Sequence, residues 1–403
     1  MSKKRGNNEG SVYQMSDGRW AAAITITTAG GKKKRKFSYT STQQKAIDKL
    51  TELRQQKKDG VPFTDERLTV EQWMKAWLRN QRPPATKPKT YIAYEYQTNK
   101  HLIPALGKCP LRKLTIQEVR DFMRERLEYG LSQRTVRHLR ATLRAALNAA
   151  IADGILPERN VASKAKPPAL ETNPLITYNP EQARLFLKTA KDHRLAALFT
   201  TAVSLGLREG EILGLQWPDI NFARRTLTVQ RTLQRVKRVR LGDDPKPGER
   251  KTEVLLLHPK TEDSRRTLSL PTVLVRALEE HQKRQGEEQL LAGSAWKGTN
   301  FVFTSRIGTP LDQRRVCREF SALTTAASLP RLRFHDLRHS AASLLIAQGV
   351  HARAIMELLG HSTITLTMDT YGHLMESVNR NTAEQMDSIL TPVTAKSKLR
   401  RVK

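Results

Sequence analysis

Two polar breaks divide the 403-residue chain into three segments, and this division limits the fold more than any other feature of the sequence. The first break is Gly60-Val61-Pro62, and the second covers residues 164–168, where two prolines follow basic residues. Proline and glycine interrupt hydrophobic periodicity and mark loops or linkers. We therefore predict domains at residues 1–62, 65–165 and 175–390, followed by a basic tail at 391–403.

Residues 10–60 are predicted to form a small sheet and one helix. The turn sequences Ser16-Asp17-Gly18 and Gly30-Gly31 separate β-rich stretches within residues 12–39, which predicts a three-stranded meander. Apolar residues then recur at helical spacing over residues 43–58. A basic run crosses the second turn or the third strand and is either solvated charge or a ribbon that grips phosphate; it consists of Lys32, Lys33, Lys34, Arg35 and Lys36.

The second segment is predicted to be all helical. Thr69 with Gln72 and Thr115 with Glu118 have capping-box spacing, and the second box predicts a helix over residues 115–128. A further helix begins near Ser132 and carries an apolar stripe. The face beside this stripe is either solvated or in contact with DNA phosphates, and the net charge favours DNA; its residues are Arg134, Arg137, Arg140 and Arg144.

The third segment is predicted to be mixed and mainly helical. Asn179-Pro180-Glu181-Gln182 supplies an N-cap, a proline at the first helical position and Gln at the third. A β-rich stretch over residues 226–270 is split by a polar loop at 242–248. The fold class is therefore multidomain α+β: a small sheet with a helix, an all-helical domain, and a mainly helical domain with a small antiparallel sheet.

The charge balance predicts a polyanionic partner. Lys and Arg number 70 against 39 Asp and Glu, which gives a net charge of +31. The basic residues are spread along the chain instead of forming one amphipathic anchor, so nucleic acid is favoured over a membrane surface. Cys109 and Cys317 favour a reducing compartment. No stretch approaches the roughly 20 apolar residues that cross a bilayer, and we expect a cytoplasmic protein.

Nucleotide and two-metal chemistry have no support in the sequence. The phosphate-binding patterns G-x-x-x-x-G-K-[ST] and G-x-G-x-x-G are absent. Two-metal phosphoryl transfer needs clustered carboxylates, whereas Asp243-Asp244 and Glu262-Asp263 lie in loop-like, basic surroundings. We therefore expect neither a cofactor nor a metal.

Five short motifs in the C-terminal third carry guanidinium, ammonium, imidazole and phenol groups. They are Arg208-Glu209-Gly210-Glu211, Lys260 before Ser264-Arg265-Arg266, His335-Asp336-Leu337-Arg338, Leu359-Gly360-His361, and Tyr371. In order and spacing they resemble the motifs of the tyrosine recombinase (phage integrase) family. The resemblance extends to the layout, since the larger integrases have an arm-site-binding sheet domain, a helical core-binding domain and a catalytic domain.

The resemblance implies site-specific recombination through a 3′-phosphotyrosine intermediate. Attack on a phosphodiester builds negative charge, which preorganised cations stabilise. A phenol has a pKa of about 10, so near pH 7 it needs a base or positive surroundings before it can attack. In this scheme Tyr371 is the nucleophile, His335 its candidate base and Lys260 the candidate acid for the 5′ oxygen. Glu211 supports Arg208, and the remaining phosphate-binding groups are Arg208, Arg338 and His361.

The resemblance also implies partners. They are double-stranded DNA attachment sites, a homotetramer that passes through a Holliday junction, and possible excision and DNA-bending factors, in a bacterial cytoplasm at the nucleoid. Because the phosphotyrosine conserves bond energy, rejoining needs neither ATP nor metal. The tail after Tyr371 is expected to dock on a neighbouring subunit.

Three alternatives stay open at this point. His335 and His339 have metal-ligand spacing, although Arg338 between them would repel a cation. Type IB topoisomerases share the tyrosine chemistry, but the sheet domain and compact length favour a recombinase. A non-catalytic, sequence-specific DNA-binding regulator would explain the charge but not the six active-site residue types. His339 and His373 are expected to have structural or supporting roles.

Overall fold

The structure is a computed structural model that divides the chain into two compact units, with the boundary between residues 172 and 173. It describes residues 10–27, 33–58, 67–157, 159–170, 175–237, 252–257, 265–365, 367–368, 370–372, 386 and 390. Among these residues no helix is both long and apolar enough to cross a membrane. The mixed α+β fold class that the sequence predicts is confirmed.

The first unit begins with a three-stranded antiparallel sheet and one helix, as predicted. The elements are β1 (Ser11–Gln14), β2 (Trp20–Thr27), β3 (Lys33–Thr40) and α1 (Gln43–Lys58). Ala22 and Ile24 on one face of β2 form a core with Ala46, Leu50 and Leu53 of α1. In the basic run, residues 33–36 lie in β3, whereas Lys32 falls outside the described residues.

Helices build the rest of the first unit. They are α2 (Val70–Asn80), α3 (Pro88–Gln97), which continues through a π-helical turn at Thr98–Leu102 into α4 (Ile103–Leu106), α5 (Ile116–Glu128), α6 (Gln133–Ala152) and α7 (Val161–Lys164). Both predicted capping boxes are present, at Thr69 with Gln72 and at Thr115 with Glu118. These reciprocal bonds satisfy backbone N–H groups that a helix start leaves unpaired.

The stretch at 164–168, which its prolines predict to be a linker, is held along α6 instead. Ala165 is buried in the helical core. The Arg140 Nε donates to the Ala165 carbonyl at 2.6 Å, and the Arg137 Nη1 donates to the Pro168 carbonyl at 2.8 Å. Carbonyl groups of an irregular segment need donors, and these two guanidinium groups supply them. Arg134 and Arg144 on the same helix are exposed.

The second unit is mainly helical. Its elements are α8 (Pro180–Thr189), α9 (Ala196–Leu205), α10 (Glu209–Leu213), β4 (Ile220–Asn221), β5 (Thr226–Val229), β6 (Thr232–Lys237), β7 (Thr252–Leu257), β8 (Arg266–Ser269), α11 (Thr272–Ala292), α12 (Gln313–Ala326), α13 (Asp336–Ala347) and α14 (Ala352–Leu359). The predicted N-cap at Asn179 is present. The described residues of 364–372 are also helical.

The β-rich stretch forms two separate sheets where the sequence predicts one. Strands β4, β5 and β8 make one antiparallel sheet, and β6 pairs with β7 in the other. Between β5 and β6, Arg231 Nη1 lies 2.6 Å from a carboxylate oxygen of the buried Asp219. A Cβ on Gly210 of α10 would lie 2.4 Å from the Thr232 Oγ1, so β6 packs directly on the helix that follows Arg208. The predicted loop at 242–248 lies outside the described residues.

A buried histidine in α11 makes the second unit sensitive to acid. The His281 Nε2 lies 2.7 Å from the Val302 carbonyl oxygen, which only accepts, and its Nδ1 lies 3.1 Å from the Arg284 Nη2, which only donates. The ring is therefore neutral, with its proton on Nε2. Burial, foremost, lowers the pKa of His281 to about 4, although the Val302 bond raises it.

We expect the second unit to lose stability as the pH falls from 6.5 to about 4. The folded pKa lies below that of an unfolded histidine, so the stabilisation is complete above pH 6.5 and is lost through this window, by about 3 kcal/mol. The measurement is the free energy of unfolding of wild type and His281→Gln against pH. The variant is expected to show a flatter profile, and parallel profiles would contradict this assignment.

Candidate active site

Glu211 is the buried centre of the ion pairs at the start of α10. Its Oε1 accepts from the Arg208 Nη1 at 2.7 Å, and its Oε2 accepts from the Arg266 Nη2 at 3.0 Å and from the Arg208 backbone N–H at 3.1 Å. Burial raises the pKa of this carboxyl, but Arg266 and then Arg208 lower it, and the net shift is downward. Glu211 therefore stays ionised and fixes the direction of two guanidinium groups.

Arg338 on α13 lies beside this group and is almost fully buried, with 5% of its surface exposed. Its Nη1 donates to the Gly206 carbonyl at 2.8 Å, and its Nη2 donates to the Leu359 carbonyl at 2.8 Å. Burial, followed by the neighbouring Arg208, lowers the pKa of Arg338 to about 10. The guanidinium is still charged at neutral pH, so a buried cation is held ready for an anion.

Gly360 lets the chain turn out of α14 and place His361 at the site. Its φ of +64° is left-handed, and a Cβ would lie 2.7 Å from the Arg266 Nη1. The Gly360 carbonyl also accepts from the Arg208 Nη2 at 3.0 Å. His361 follows, with its Nδ1 2.8 Å from the hydroxyl of the buried Thr367. Burial and then Arg338 lower the pKa of His361 to about 4, so its ring is neutral at pH 7.

The Tyr371 hydroxyl lies against an imidazole. Its oxygen is 2.7 Å from the His339 Nδ1, and the side chain is 1% exposed in a cluster with Ala342, Ile346 and Leu359. Burial raises the pKa of Tyr371 to about 12, although Arg338 lowers it. The phenol is therefore protonated at neutral pH, and a phenol in this state needs a proton acceptor before it can act as a nucleophile.

The structure brings together most of the catalytic residues that the sequence predicts. Arg208 and Tyr371 both affect the pKa of Arg338, and Arg338 and Arg208 both lower the pKa of His361, so these groups lie near one another. His335, just before α13, has an exposed side chain whose pKa is lowered by partial desolvation and by Arg338. Lys260 and His373 lie outside the described residues, so their positions are not part of this geometry.

Two residues that the sequence analysis left outside the catalytic set take part directly in this geometry. Arg266 joins β8 to Glu211, and its Nε donates to the Leu358 carbonyl at 2.8 Å, which ties the sheet to the end of α14. Its only sequence signal is its place six residues after Lys260. His339 was expected to have a supporting role, yet it contacts the candidate nucleophile itself. The i, i+4 spacing of His335 and His339 predicts that the two residues share a helix face, but it does not identify Tyr371 as the partner of His339.

The alternative of a metal site gains no geometric support. His335 and His339 lie with their ring centroids 5.7 Å apart. In the described part of the chain, no group of three or more His, Cys, Asp or Glu side chains is arranged to hold a metal ion. Arg338 projects from the same helix, and its positive charge lowers the pKa of both rings.

Guanidinium groups, imidazoles and a phenol lie close together here, and this arrangement suits phosphoryl transfer with a tyrosine nucleophile. Comparison with known protein families agrees with this class. The model of the phage integrase family matches residues 177–377, and that of the phage integrase N-terminal SAM-like domain matches residues 69–126. The chain belongs to the phage integrase family of tyrosine recombinases.

Relatives and solved structures give the same picture. Over 378 residues the chain is 29% identical to a "Tyrosine recombinase XerC-like" protein of Caldanaerobacter subterraneus subsp. tengcongensis, which covers 91% of this chain and 95% of the relative. The fold is similar to the Tn1549 transposon integrase in complex with transposon right end DNA, with TM-score 0.64, 22% identity, and coverage of 79% of this chain and 99% of that one. It is also similar to a lambda integrase tetramer bound to a Holliday junction, with TM-score 0.54, 18% identity, and coverage of 91% and 96%.

Proposed function

We propose that this recombinase integrates and excises a mobile element by cutting and rejoining DNA through a 3′-phosphotyrosine link at Tyr371. The observation that carries the proposal is the Tyr371 hydroxyl at 2.7 Å from an imidazole nitrogen, close enough to the buried Arg338 for each of these two side chains to affect the pKa of the other. Arg208 pairs with Glu211 and still has 40% of its side chain exposed, so it is open to a phosphate. Nucleophile, proton acceptor and anion-binding groups are thus close together.

The chemistry requires one bond to form and one to break. The Tyr371 oxygen bonds to phosphorus, and the bond from phosphorus to the 5′ oxygen breaks. The tyrosine proton passes to a nearby base, and the 5′ oxygen takes a proton from an acid, for which we propose Lys260. Attack by the 5′ hydroxyl of a second strand on the phosphotyrosine reverses the steps and rejoins the DNA, so the energy of the broken bond is kept.

Charge explains why these groups suit the reaction. In the described part of the site, the guanidinium groups of Arg208, Arg266 and Arg338 lie around the carboxylate of Glu211. The remaining excess of positive charge matches the negative charge that builds on the phosphate oxygens during attack. Preorganised charge of this kind stabilises a transition state without reorganisation.

The proposal is tested with suicide DNA that carries the core site and a nick, in buffer containing EDTA. Wild-type protein is expected to form a covalent adduct with the 3′ end, and peptide mapping is expected to find the nucleotide on Tyr371. Sensitivity to the chelator would favour a metal mechanism. A non-catalytic regulator would bind the DNA, form no adduct and give no recombinants from two attachment sites.

We propose that residues 1–62 bind accessory arm sites through the open face of the small sheet. Residues of β3 alternate between faces, and the face away from α1 carries Arg35, Phe37 and Tyr39. The Arg35 guanidinium lies 5.6 Å from the centre of the Phe37 ring, and that of Arg19 lies 5.4 Å from the Tyr39 ring. Exposed aromatic rings with arginines beside them suit a ribbon that lies against DNA.

We propose that residues 65–165 clamp the crossover duplex and that 175–390 cut and rejoin it. The family models at 69–126 and 177–377 support this division. On α6, Arg144 lines a cleft between α3 and α6 together with Lys89 and His138. Arg137 and Arg140 are bonded to carbonyls of the same unit, so we assign the main phosphate contacts to Arg134 and Arg144.

Removing these two exposed arginines is expected to change the salt dependence of core-site binding. Each lost phosphate contact lowers the slope of log K against log[salt] by about 0.9, so Arg134→Ala with Arg144→Ala is expected to lower it by about 2. The matched control replaces Arg124 and Arg184, and this replacement removes the same amount of charge. These two arginines pair with Asp121 and Glu181. Equal slopes for the two double variants would exclude the proposed contacts.

The assembly follows from the reaction. We propose that four copies act together on paired sites through a Holliday junction, in the bacterial cytoplasm at the nucleoid, with an excision factor and a DNA-bending protein as partners. The lambda integrase tetramer supports the number of copies. We further propose that the tail after Tyr371 docks on a neighbouring copy; tetramers that persist on crosslinking after deletion of this tail would contradict it.

A further inference from the structure

His339 is the only described residue with a hydrogen bond to the Tyr371 hydroxyl. The Nδ1 to Oη distance is 2.7 Å, and the two ring centroids lie 5.8 Å apart. Tyr371 is buried and His339 is half-buried. The contact therefore lies in protein interior, where a hydrogen bond is stronger than in water and fixes both groups.

The direction of this hydrogen bond follows from its chemistry. Burial and then His335 lower the pKa of His339, so its ring is neutral at pH 7, while the Tyr371 phenol keeps its proton. A neutral imidazole has one nitrogen that accepts. Among the described residues, the His339 Nδ1 is the acceptor within reach of the buried phenol proton, so the phenol donates to the Nδ1 and the ring carries its own proton on Nε2. This is the arrangement that precedes proton transfer from the phenol.

We propose that the Nδ1 of His339 takes the proton from the Tyr371 hydroxyl as the phenol oxygen attacks phosphorus. The inference deepens the proposed function and rests on it. His339 thereby becomes a catalytic residue, because it touches the reacting oxygen. In the reverse step, the His339 imidazolium returns the proton to the phenol as the DNA strand is rejoined, so the cycle leaves the enzyme unchanged.

This assignment differs from the one that the family resemblance implies, in which His335 is the base. His335 lies one turn earlier, exposed, with its ring centroid 5.7 Å from that of His339. In the described parts of the chain it makes no hydrogen bond to Tyr371. Its exposed position beside Arg338 instead suits a contact with a phosphate oxygen.

Several charged and titratable groups face His339, and they shape its pH dependence. Asp336 on the same helix favours the imidazolium, whereas its other neighbours disfavour it. Those neighbours are His335, Arg338 and Arg333 from around α13. His361, in the segment after α14, also lies near enough for His339 to lower its pKa. Bound phosphate adds negative charge beside these cations, which makes the ring a better proton acceptor in the DNA complex than in the free protein.

The decisive experiment separates proton acceptance from positioning. The Oδ1 of Asn occupies nearly the place of the histidine Nδ1, so His339→Asn keeps an acceptor for the phenol but no base. Single-turnover cleavage of suicide core-site DNA is measured for wild type, His339→Asn and His339→Gln, each with tyrosine or with 3,5-difluorotyrosine at 371. The ring fluorines acidify the phenol, which reduces its need for a base. His335→Asn is the matched control, and DNA affinity and melting temperature verify that each variant is folded.

We expect His339→Asn to cleave about 10²- to 10³-fold more slowly than wild type, because general-base catalysis contributes on this scale. Its rate should rise with pH well beyond the point where wild type levels off, and difluorotyrosine should restore at least tenfold. Difluorotyrosine should give His335→Asn no such recovery of the cleavage rate.

A rate for His339→Asn close to wild type would reduce His339 to a positioning residue and overturn the proposal. If His339→Asn and His339→Gln both cleaved faster than wild type, the hydrogen bond between His339 and Tyr371 would only restrain the tyrosine, and the proposal would be overturned. Failure of wild type to form any adduct would instead reject the proposed function.

Discussion

Tyr371→Phe is expected to bind core-site DNA with wild-type affinity and to form no covalent adduct. The substitution removes only the hydroxyl oxygen, which is the atom that would bond to phosphorus. The ring still fills its place among Ala342, Ile346 and Leu359, so the fold is expected to persist. The His339 Nδ1 loses its partner, which costs about 1 kcal/mol of stability.

The chain offers a matched control for this variant. Tyr178 is also 1% exposed, has a pKa that burial likewise raises to about 12, and donates its hydroxyl to the Pro330 carbonyl at 3.3 Å. Tyr178→Phe therefore has a similar structural cost in the same unit, and it should form the adduct at close to the wild-type rate. The measurement is gel separation of protein–DNA adducts on suicide substrate. An adduct with Tyr371→Phe would mean that another residue is the nucleophile.

Arg338→Lys is expected to lower the cleavage rate by at least about 10²- to 10³-fold, the usual effect of removing one preorganised donor at a developing charge. Lysine keeps the positive charge but lacks the planar fork that reaches two carbonyl groups and still presents donors to phosphate. The carbonyls of Gly206 and Leu359 lose their donors, at about 1–3 kcal/mol for each that stays buried and unpaired.

Arg333→Lys provides the comparison. Arg333 precedes the same helix and pairs with Asp336 at 2.7 Å, but 77% of its side chain is exposed. Lysine keeps the positive charge beside the buried Asp336, and the arginine side of the pair is exposed, so this variant should cleave and melt like wild type. Single-turnover cleavage and thermal unfolding are measured for both variants. Equal rates for Arg338→Lys and Arg333→Lys would remove Arg338 from the phosphate-binding set.

The sequence predicts local features of this fold well. The caps at Thr69, Thr115 and Asn179 form as expected because each depends on residues three positions apart. The apolar stripe of α6 is buried for the same reason, since helical spacing alone decides which side chains share a face. The types and order of the candidate catalytic groups could likewise be read from short motifs.

Features that join distant parts of the chain could not be predicted in this way. Arg266 meets Glu211 across 55 residues, and His339 meets Tyr371 across 32. Nothing in the local sequence of either pair names the partner, because only the packing of the elements between them brings the atoms together. Arg137 and Arg140 show the same limit. Their spacing suggested a free DNA-binding face, whereas the structure uses them to hold the segment after α7.

The two carbonyl bonds of Arg338 have a consequence for how this enzyme can evolve. The side chain that is proposed to meet phosphate also fastens α13 to the ends of α9 and α14. Substitutions that abolish strand cleavage at this position are therefore expected to loosen the scaffold as well. A lineage that keeps DNA binding but abandons catalysis would do so more readily by losing the Tyr371 hydroxyl than by losing this arginine.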